Sequence, residues 1–493
     1  MKKILCFVLA LLFFVTLLPN TSVTASDVTI TAEINGKPLA FTDAVPYEDN
    51  GVLMVPLRML CEQTGIFVTQ DPTDKSIRVQ DGYDYYILAN GRRTVYTKDG
   101  YFSMKRPAVI KNGRTYVSLD FFERLEGLTF TYEKNKLSVK MPYYRNDFCK
   151  VFNIEYLENG LKLLTDTNGR KLLLVDGKTK IPVKYLFDKS IEIITVPVSR
   201  VVLFSTSYAG ILDVIGETDS VIGTTTPAQD WFIEDFKKGH QDGTMTFIGD
   251  NSAVDFEALK KLKPDLAILY DDNWDTPKIV EKLEEFGIRY VICTDWLEED
   301  PFSRLEIGSL VSAFYNKEMM ASVYTNGAVA KIEVIKSRYE GKEKPKVVWG
   351  NIVPFGGTGM YVPDKGSYIA KWIEMAGGDY VFSDVGTGLG GSVMIDPEEF
   401  YRRAKDADIF IYSGFVTTYT PEISVRWMID QMDILKNLKS VKNGGVWNYA
   451  PSWYQVAPYT QNIIEDMSAI FYPDIYEGYQ IKYLSKMPQS MKN

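Results

Sequence analysis

The sequence predicts an α/β protein: two parallel-sheet lobes joined by a long helix, preceded by a small α+β repeat module and a short β-meander. Short apolar runs alternate with helical stretches on both sides of residues 301–339, which are predicted to be helical with a break near Asn316 and no strand. A segment near residue 55 also returns near residue 117. The predicted boundaries are 27–140 for the repeat module, 141–197 for a β-rich extension, 198–300 for lobe 1, 301–340 for the helical connector and 341–480 for lobe 2.

The amino terminus predicts a signal peptide, residues 1–25. Lys2 and Lys3 precede an apolar run of 15 residues, Ile4–Leu18, which is too short to span a bilayer. The small-residue pattern at Val23–Ala25 predicts cleavage after residue 25. Because this leader carries two lysines and no acidic residue, its removal takes the formal charge from −9 to −11. A protein this acidic overall is not expected to favour nucleic acid or anionic lipid.

The cysteines predict neither a disulfide framework nor a metal site. Cys6 lies in the leader, and the widely spaced Cys61, Cys149 and Cys293 are expected to be small buried residues. Cys6 lacks the small residues that precede a lipoprotein cysteine, and no cysteine follows the apolar run. We therefore expect a secreted, extracytoplasmic protein of the cell envelope or periplasm, without a lipobox cysteine or lipid anchor.

The chain has one histidine, His240, among 493 residues. A catalytic centre with several histidine ligands is therefore excluded, and a histidine-based triad is disfavoured. His240 stands in the polar run Lys237–Asp242, which suggests a solvated loop. Aromatic residues make up 13% of the chain, which indicates a surface that grips a solute. We expect no catalytic residue, no metal bound directly by the protein and no cofactor.

The repeat module consists of two related halves. The segment Val55–Gly65 returns 62 positions later as Val117–Gly127, and each copy predicts a short amphipathic helix, a C-cap glycine and a strand. Asn-Gly pairs at Asn35, Asn90 and Asn112 predict hairpin turns around them.

Most of residues 28–140 resembles the copper amine oxidase N-terminal-like domain. Copper amine oxidases need three histidine ligands and a tyrosine processed to a quinone, and one histidine cannot build that site. We interpret the module as non-catalytic, serving either as an envelope or partner contact or as a spacer. The following residues, 143–188, contain short alternating segments separated by Asn159-Gly160, Asn168-Gly169 and Asp176-Gly177, which predict the β-meander.

Four segments of the lobes resemble the iron-siderophore/cobalamin class of ABC-transporter substrate-binding proteins. They are Ser199–Ser205 (SRVVLFS), Asp219–Gly223 (DSVIG), Asp255–Leu266 (DFEALKKLKPDL) and Asp396–Ile409 (DPEEFYRRAKDADI). The resemblance covers roughly residues 198–472. It implies a receptor, not an enzyme, that captures a solute between two lobes and delivers it to an ABC permease with its ATPase.

In this family a glutamate on each lobe binds arginines of the permease. The resemblance places these glutamates at Glu257 and Glu398, each in the first turn of a helix, after Asp255 and Asp396 as N-caps. A carboxylate there is favoured by the helix dipole and stays exposed for an intermolecular ion pair. Glu399 is the alternative if the register of lobe 2 shifts by one residue.

The ligand is expected beyond the carboxyl ends of the strands, where open α/β sheets bind ligands. Loops there place eight candidate contacts, most of them rigid aromatic rings: Ser205, Tyr208, Trp231, Trp274, Phe355, Tyr361, Trp447 and Trp453. Among the tryptophans, Trp231, Trp274 and Trp453 stand in polar or Pro/Gly-rich loops, where burial is less expected.

These residues favour a metal chelate as the ligand, carrying iron or cobalt. A ferric siderophore of little charge fits best, because the cleft loops hold few arginines; Arg426 is the nearest. A corrinoid such as vitamin B12 is the next alternative, and haem stays open because tyrosines are plentiful. An envelope-associated structural protein and a chelatase-like protein on the same scaffold are the alternatives of another class.

Overall fold

A computed structural model describes residues 29–271, 274–294, 300–353, 358–414, 423–450, 452–455 and 457–490. The predicted signal peptide lies outside these ranges. Within them, no helix is both long and apolar enough to cross a membrane. The order of the elements confirms the predicted fold class.

The amino-terminal module contains three small sheets, with strand orders β12-β13-β1-β2, β10-β11-β4-β3 and β5-β6-β7-β8-β9. Its elements are β1 (Thr31–Ile34), β2 (Lys37–Leu39), β3 (Tyr47–Asp49), β4 (Val52–Pro56), α1 (Leu57–Gln63), β5 (Phe67–Gln70), β6 (Ile77–Asp81), β7 (Asp84–Leu88), β8 (Thr94–Thr97), β9 (Gly100–Ser103), β10 (Val109–Lys111), β11 (Arg114–Ser118), α2 (Leu119–Phe122), β12 (Thr129–Glu133) and β13 (Lys136–Lys140).

The internal repeat is confirmed, because β4-α1-β5 and β11-α2-β12 follow the same order. Strands β4 and β11 pair antiparallel with Val55 opposite Val117, so the two copies lie side by side. The turn between β1 and β2 has Asn35 and Gly36 at φ 48° and 79°, as a type I′ hairpin requires.

The β-rich extension forms a four-stranded sheet in which β17 lies beside β16. Its elements are β14 (Asn153–Tyr156), β15 (Lys162–Thr165), β16 (Lys171–Asp176), α3 (Val183–Leu186) and β17 (Ile191–Val196). The meander predicted for residues 143–188 is confirmed, because β14, β15 and β16 pair antiparallel. Strand β17, which lies beyond that range, instead runs parallel to β16. Residues 177–190 form a crossover that includes α3, and a crossover is what a parallel pair needs.

Lobe 1 is a parallel sheet of order β20-β19-β18-β21-β22. Its elements are β18 (Val201–Leu203), α4 (Ala209–Val214), β19 (Val221–Thr224), α5 (Glu234–Asp242), β20 (Thr246–Phe247), α6 (Phe256–Leu262), β21 (Leu266–Tyr270), α7 (Thr276–Phe286) and β22 (Tyr290–Cys293). All the strands therefore point their carboxyl ends to one edge, which is the edge that faces a ligand in such sheets.

The connector consists of α8 (Ser303–Ala313) and α9 (Glu318–Arg338), separated near Asn316, whose φ is 59°. Lobe 2 has a parallel core, β25-β23-β27-β28, to which β24, β26 and β29 add antiparallel strands. Its elements are β23 (Lys346–Ile352), β24 (Met360–Pro363), α10 (Tyr368–Met375), β25 (Asp379–Tyr380), β26 (Ser392–Ile395), α11 (Pro397–Ala404), β27 (Ile409–Tyr412), α12 (Val425–Gln431), α13 (Lys439–Lys442), β28 (Val446–Tyr449), α14 (Thr460–Phe471) and β29 (Leu484–Lys486).

A buried carboxylate fixes the extension to the connector. Glu306 of α8 accepts hydrogen bonds from the backbone N–H groups of Asp147, Phe148 and Cys149, at 2.9, 2.7 and 2.6 Å. Burial raises the pKa of Glu306 to about 8, although these three donors act in the opposite direction. Losing the side chain would leave three backbone N–H groups, two of them buried and one partly buried, without this acceptor.

The amino-terminal module is attached to α9 by a second polar contact. Asn326 donates to the carbonyl oxygen of Gly65 at 2.9 Å and accepts from the N–H of Gly82 at 2.7 Å. Ser322 also donates to Gly65 at 3.0 Å. Gly65 has φ +83°, and a Cβ there would lie 2.7 Å from the Ser322 Oγ, so the close approach needs glycine.

The raised pKa of Glu306 predicts a pH dependence of stability. Between its ordinary value of 4.5 and about 8, the folded protein holds a proton that the unfolded chain has lost. We therefore expect the melting temperature to fall as the pH rises through this window. Glu306→Gln should remove that part of the slope, while Glu333→Gln, on the exposed face of α9, should keep it. Equal slopes in all three proteins, measured by circular dichroism, would contradict the prediction.

Gly65→Ala should weaken the attachment of the module to α9. The loss of stability should exceed the cost of placing a side chain at a positive φ. Gly91→Ala is the matched control, because Gly91 has φ +76° and open space around a Cβ. We expect Gly65→Ala to destabilise the protein by about 1–3 kcal/mol more than the control, since the added methyl group overpacks against Ser322. Equal effects in urea unfolding would show that the contact with α9 contributes nothing.

Candidate functional site

The candidate site is the cleft between the carboxyl ends of the two sheets. Several loops at this edge include residues outside the described ranges, namely 272–273, 295–299, 354–357 and 415–422. Phe355, one of the predicted contacts, is among them. The residues that the structure does describe give the floor and flanks of the cleft.

Ser205 and Trp274 are the accessible predicted contacts in lobe 1. Ser205 follows β18, is half-buried, and its Oγ accepts from the N–H of Ser207 at 3.2 Å. This hydrogen bond caps a 3-10 turn, Thr206–Tyr208, at the cleft edge. Trp274 follows β21, and 87% of its surface is exposed. This exposure agrees with the expectation that its loop leaves the ring unburied.

Tyr208 and Trp231 instead lie in the core of lobe 1, each about 1% exposed. The hydroxyl of Tyr208 donates to the carbonyl oxygen of Cys293 at 2.6 Å. Trp231 stacks on Phe236 of α5 at 4.3 Å, and its Nε1 donates to the carbonyl oxygen of Thr226 at 3.2 Å. The expectation that Trp231 escapes burial is wrong, because α5 supplies an apolar partner. In this arrangement of the lobes neither ring is open to a solute.

His240 is also placed differently from the prediction. It lies on α5, half-buried, and not in a solvated loop. Its Nε2 is 3.1 Å from the Oγ1 of Thr224 at the end of β19, and burial lowers its pKa. His240 therefore packs behind the floor of the cleft, on the same side as Trp231. The centres of the two rings are 6.4 Å apart.

In lobe 2, Trp453 belongs to a cluster of buried aromatic rings. It stacks on Tyr449 at 3.8 Å, and its ring centre lies 6.0 Å from Trp349 and 6.2 Å from Trp372. Only 4% of Trp453 is exposed, so the expectation that its loop leaves it exposed is wrong. The stacking partner Tyr449, at the end of β28, provides the physical reason.

Tyr361 and Trp447 are half-buried in lobe 2. Tyr361 lies on β24, opposite Asn351 of β23. Trp447 lies on β28, with the Lys486 ammonium 5.7 Å from its ring centre. Of the eight predicted contacts, Trp274 is thus exposed, three are half-buried and three are buried, and Phe355 lies outside the described residues. The half-buried ones are Ser205, Tyr361 and Trp447.

Gln455, which sequence reasoning missed, joins the two lobes at the floor of the cleft. Its Oε1 accepts from the N–H of Phe232 at 2.8 Å, and its Nε2 donates to the carbonyl oxygen of Asp230 at 2.7 Å. Both partners belong to lobe 1. Tyr459 makes a further link, donating to Asp213 at 2.8 Å. No sequence motif marks Gln455, because its role depends on backbone groups more than 220 residues away.

The predicted docking glutamates are both exposed at helix starts. Asp255 accepts from the N–H of Ala258 at 2.9 Å, and Asp396 accepts from the N–H of Glu399 at 2.9 Å, so both N-caps are present as predicted. Among the described residues, neither Glu257 nor Glu398 forms an ion pair.

Glu399 differs from its neighbour because it is engaged within its own helix. Its two carboxylate oxygens accept from Arg402, each at 2.6 Å. Arg402 lowers the pKa of Glu399 through this hydrogen-bonded pair. The side chain presented outward at the start of α11 is therefore that of Glu398.

Metal-ligating side chains do not cluster in the part of the chain that the structure describes: no group of three or more His, Cys, Asp or Glu could hold an ion there. Cys61, Cys149 and Cys293 are buried thiols. Burial raises the pKa of Cys61 well above its usual value.

Two lobes with parallel cores, facing each other across a hinge of two helices, define a bilobal binding protein. The model of the periplasmic binding protein family matches residues 201–451, and the chain belongs to that family. The copper amine oxidase N-terminal domain matches residues 33–141. Both matches confirm the resemblances found in the sequence.

Similar proteins include two uncharacterized lipoproteins of Methanocaldococcus jannaschii. One is 28% identical over 71% of this chain and 89% of its own length, and the other 26% identical over 71% and 88%. Among solved structures, a periplasmic solute-binding protein from Veillonella parvula has a TM-score of 0.45 at 20% identity, over 65% of this chain and 88% of its own. A periplasmic heme-binding protein from Pseudomonas aeruginosa has a TM-score of 0.45 at 14% identity, over 60% and 100%.

The expectation of a protein without a lipid anchor is contradicted by these relatives. Two of them, similar over 71% of this chain, are lipoproteins. The reasoning rested on the absence of small residues before Cys6, and Cys6 lies outside the described residues.

Gln455→Ala should loosen the contact between the lobes. We expect faster hydrogen exchange at the amide of Phe232, because the variant removes its acceptor. Gln480→Ala is the control, since Gln480 is exposed and bonds only within its own turn, to Gly478 at 3.5 Å. Unchanged exchange at Phe232 in the Gln455 variant would show that the hydrogen bonds of Gln455 do not hold the lobes together.

Proposed function

We propose that this protein is the solute receptor of an ABC importer, capturing a metal chelate between its lobes and delivering it to a permease and its ATPase. The observation that carries the proposal is the pair of exposed glutamates, Glu257 and Glu398, one on each lobe. Each stands in the first turn of a helix, after an aspartate N-cap. Membership of the periplasmic binding protein family supports the same function.

The geometry of the two glutamates suits docking on a cationic partner. Strand β20 leads into α6, and the N–H of Asp255 bonds to the carbonyl oxygen of Ile248, just beyond the end of β20. Glu257 therefore stands at the carboxyl edge of the lobe 1 sheet. Helix α11 leads into β27 and starts at the corresponding edge of lobe 2, which places Glu398 there. Two carboxylates on either side of the cleft can bind arginines of a permease that covers its mouth.

A ferric siderophore of little charge is the ligand that we propose, with a corrinoid or haem as alternatives. The exposed indole of Trp274 supports a large apolar or conjugated solute. Arg426, the nearest arginine considered for an anionic ligand, forms an ion pair with Asp430 at 2.9 Å within α12. Its charge is thereby balanced locally, which favours a chelate without several negative charges.

The two hydrogen bonds that Gln455 makes to lobe 1, which we call the Gln455 clamp, support a limited closing movement. A cleft whose floor is held by hydrogen bonds between the lobes, and whose connector is helical, closes by small adjustments of its rims. Such a receptor recognises a solute mainly by a preformed surface.

Binding is tested by native mass spectrometry of the protein with an uncharged ferric trihydroxamate, a corrinoid and haem. We expect a complex with one of these chelates, together with a change in tryptophan fluorescence that Trp274→Ala reduces. If no chelate binds and the fluorescence is unchanged across the whole panel, the receptor function is wrong.

Docking is tested with the double variant Glu257→Ala/Glu398→Ala. Chelate binding should persist, while uptake into proteoliposomes containing the permease and ATPase should fall about tenfold or more, since two ion pairs are lost. Glu234→Ala is a matched control, because Glu234 is also an exposed acid in a first helical turn, with a side chain 83% exposed. Uptake by the double variant at the wild-type rate would remove these glutamates from the docking surface.

A further inference from the structure

A cluster of exposed apolar side chains lies on the crossover between β16 and β17, away from the cleft. Val183, Leu186 and Phe187 are 64%, 53% and 80% exposed. They follow one another along α3 and its C-cap. Contiguous apolar groups that face solvent in this way mark a contact surface.

This exposure is set by the packing beneath α3. Tyr185 and Ile181 pack inward against a small core formed by Leu161, Leu173 and Val175. Because Tyr185 points into the sheet, the neighbouring positions along α3 are turned outward.

Beyond α3, Asp188 fixes the chain. It accepts from the N–H and the hydroxyl of Ser190, at 2.9 and 2.6 Å. The apolar side chains are thus held outward by a defined local structure.

Basic residues surround the apolar cluster. Residues 178–189 contain four exposed lysines and one acidic residue, Asp188, so the segment carries a formal charge of +3 in a chain of −9. The lysines are Lys178, Lys180, Lys184 and Lys189. Lys171, at the start of β16, is also exposed and lies close enough to contribute to the lowered pKa of Asp188, whose main cause is the hydrogen bonds from Ser190. We call Val183, Leu186, Phe187 and these five lysines the basic apolar patch.

One end of the patch reaches the edge of the molecule that carries the cleft. Asn168 donates to Asp271, just beyond β21, at 3.2 Å, which places the turn before β16 at the carboxyl edge of lobe 1. In the register of the parallel pair, Lys171 stands opposite Ile191. The chain from Phe187 to Ile191 therefore lies at this edge, and the rest of the patch extends along the flank of the extension.

We propose that the basic apolar patch binds the surface of a membrane containing anionic lipids. Lysines attract anionic headgroups, while a phenylalanine and two aliphatic side chains enter the boundary between headgroups and acyl chains. A protein partner is the less favoured occupant, because it would have to present acidic and apolar groups at fixed matching positions, whereas an anionic membrane surface supplies both without fixed positions. The proposed lipid contact depends only on the exposed side chains of the patch. The location of the patch beside a permease rests on the proposed function.

The test is co-sedimentation of the full chain with vesicles of phosphatidylcholine alone or of equal parts phosphatidylcholine and phosphatidylglycerol, at low and high salt. The amino-terminal apolar run is the same in every variant, so differences between variants report on the patch. We expect stronger partitioning onto the anionic vesicles, weakened by salt. Lys184→Gln/Lys189→Gln should reduce it about tenfold, and Leu186→Ser/Phe187→Ser should do the same.

Two matched controls should leave partitioning unchanged. Lys140→Gln/Lys405→Gln removes two exposed lysines elsewhere, and Tyr101→Ser removes a side chain that is 75% exposed. Equal partitioning onto both vesicle types, or equal losses in patch and control variants, would overturn the proposal. Patch variants that partition normally but impair uptake would also overturn it, in favour of a protein partner. Chelate binding is measured in parallel, so that failure of the receptor function is seen separately.

Discussion

The two connector helices are the constraint on which the rest of the structure depends. The extension and the amino-terminal module are both fastened to them by polar groups that are buried or partly buried. Glu306 holds the entry of the extension through three backbone N–H groups, and Asn326 holds the amino-terminal module. Lys162 of β15 reaches Glu318 of α9 at 2.9 Å and the carbonyl oxygen of Ala313 at 3.0 Å. Because buried polar groups are costly to leave unpaired, these contacts specify one arrangement of module, extension and connector.

This arrangement places the attachment contacts and the cleft on different faces of the molecule. The module and the extension attach to the connector, so the carboxyl edges of both sheets stay available for a solute. Gln455 closes the floor of the cleft, and Glu257 and Glu398 stand outside its mouth. The basic apolar patch reaches the same edge of the molecule from the flank of the extension. A binding protein held by rigid helices changes its rims more easily than its floor.

The sequence predicts the architecture well because the signals for it are local. The helix starts at Asp255 and Asp396, the repeated β4-α1-β5 unit and the break at Asn316 follow from capping, spacing and backbone preference. Side-chain burial was less predictable, because it depends on partners distant in the chain. Trp453 is buried by Tyr449 and Trp349, and Gln455 acquires its role from backbone groups of lobe 1. The polar residues next to Trp453 and Gln455 in the sequence do not indicate either contact.

Binding of a solute between the two lobes is tested by hydrogen exchange with and without the chelate that binds. We expect protection of amides on both sides of the cleft, around Ser205 and Trp274 in lobe 1 and around Tyr361 in lobe 2. The amino-terminal module, which has a separate depression of about 410 Å³ lined by residues such as Arg58 and Arg114, should show no change. Protection confined to one lobe, or found in that depression instead, would contradict this expectation.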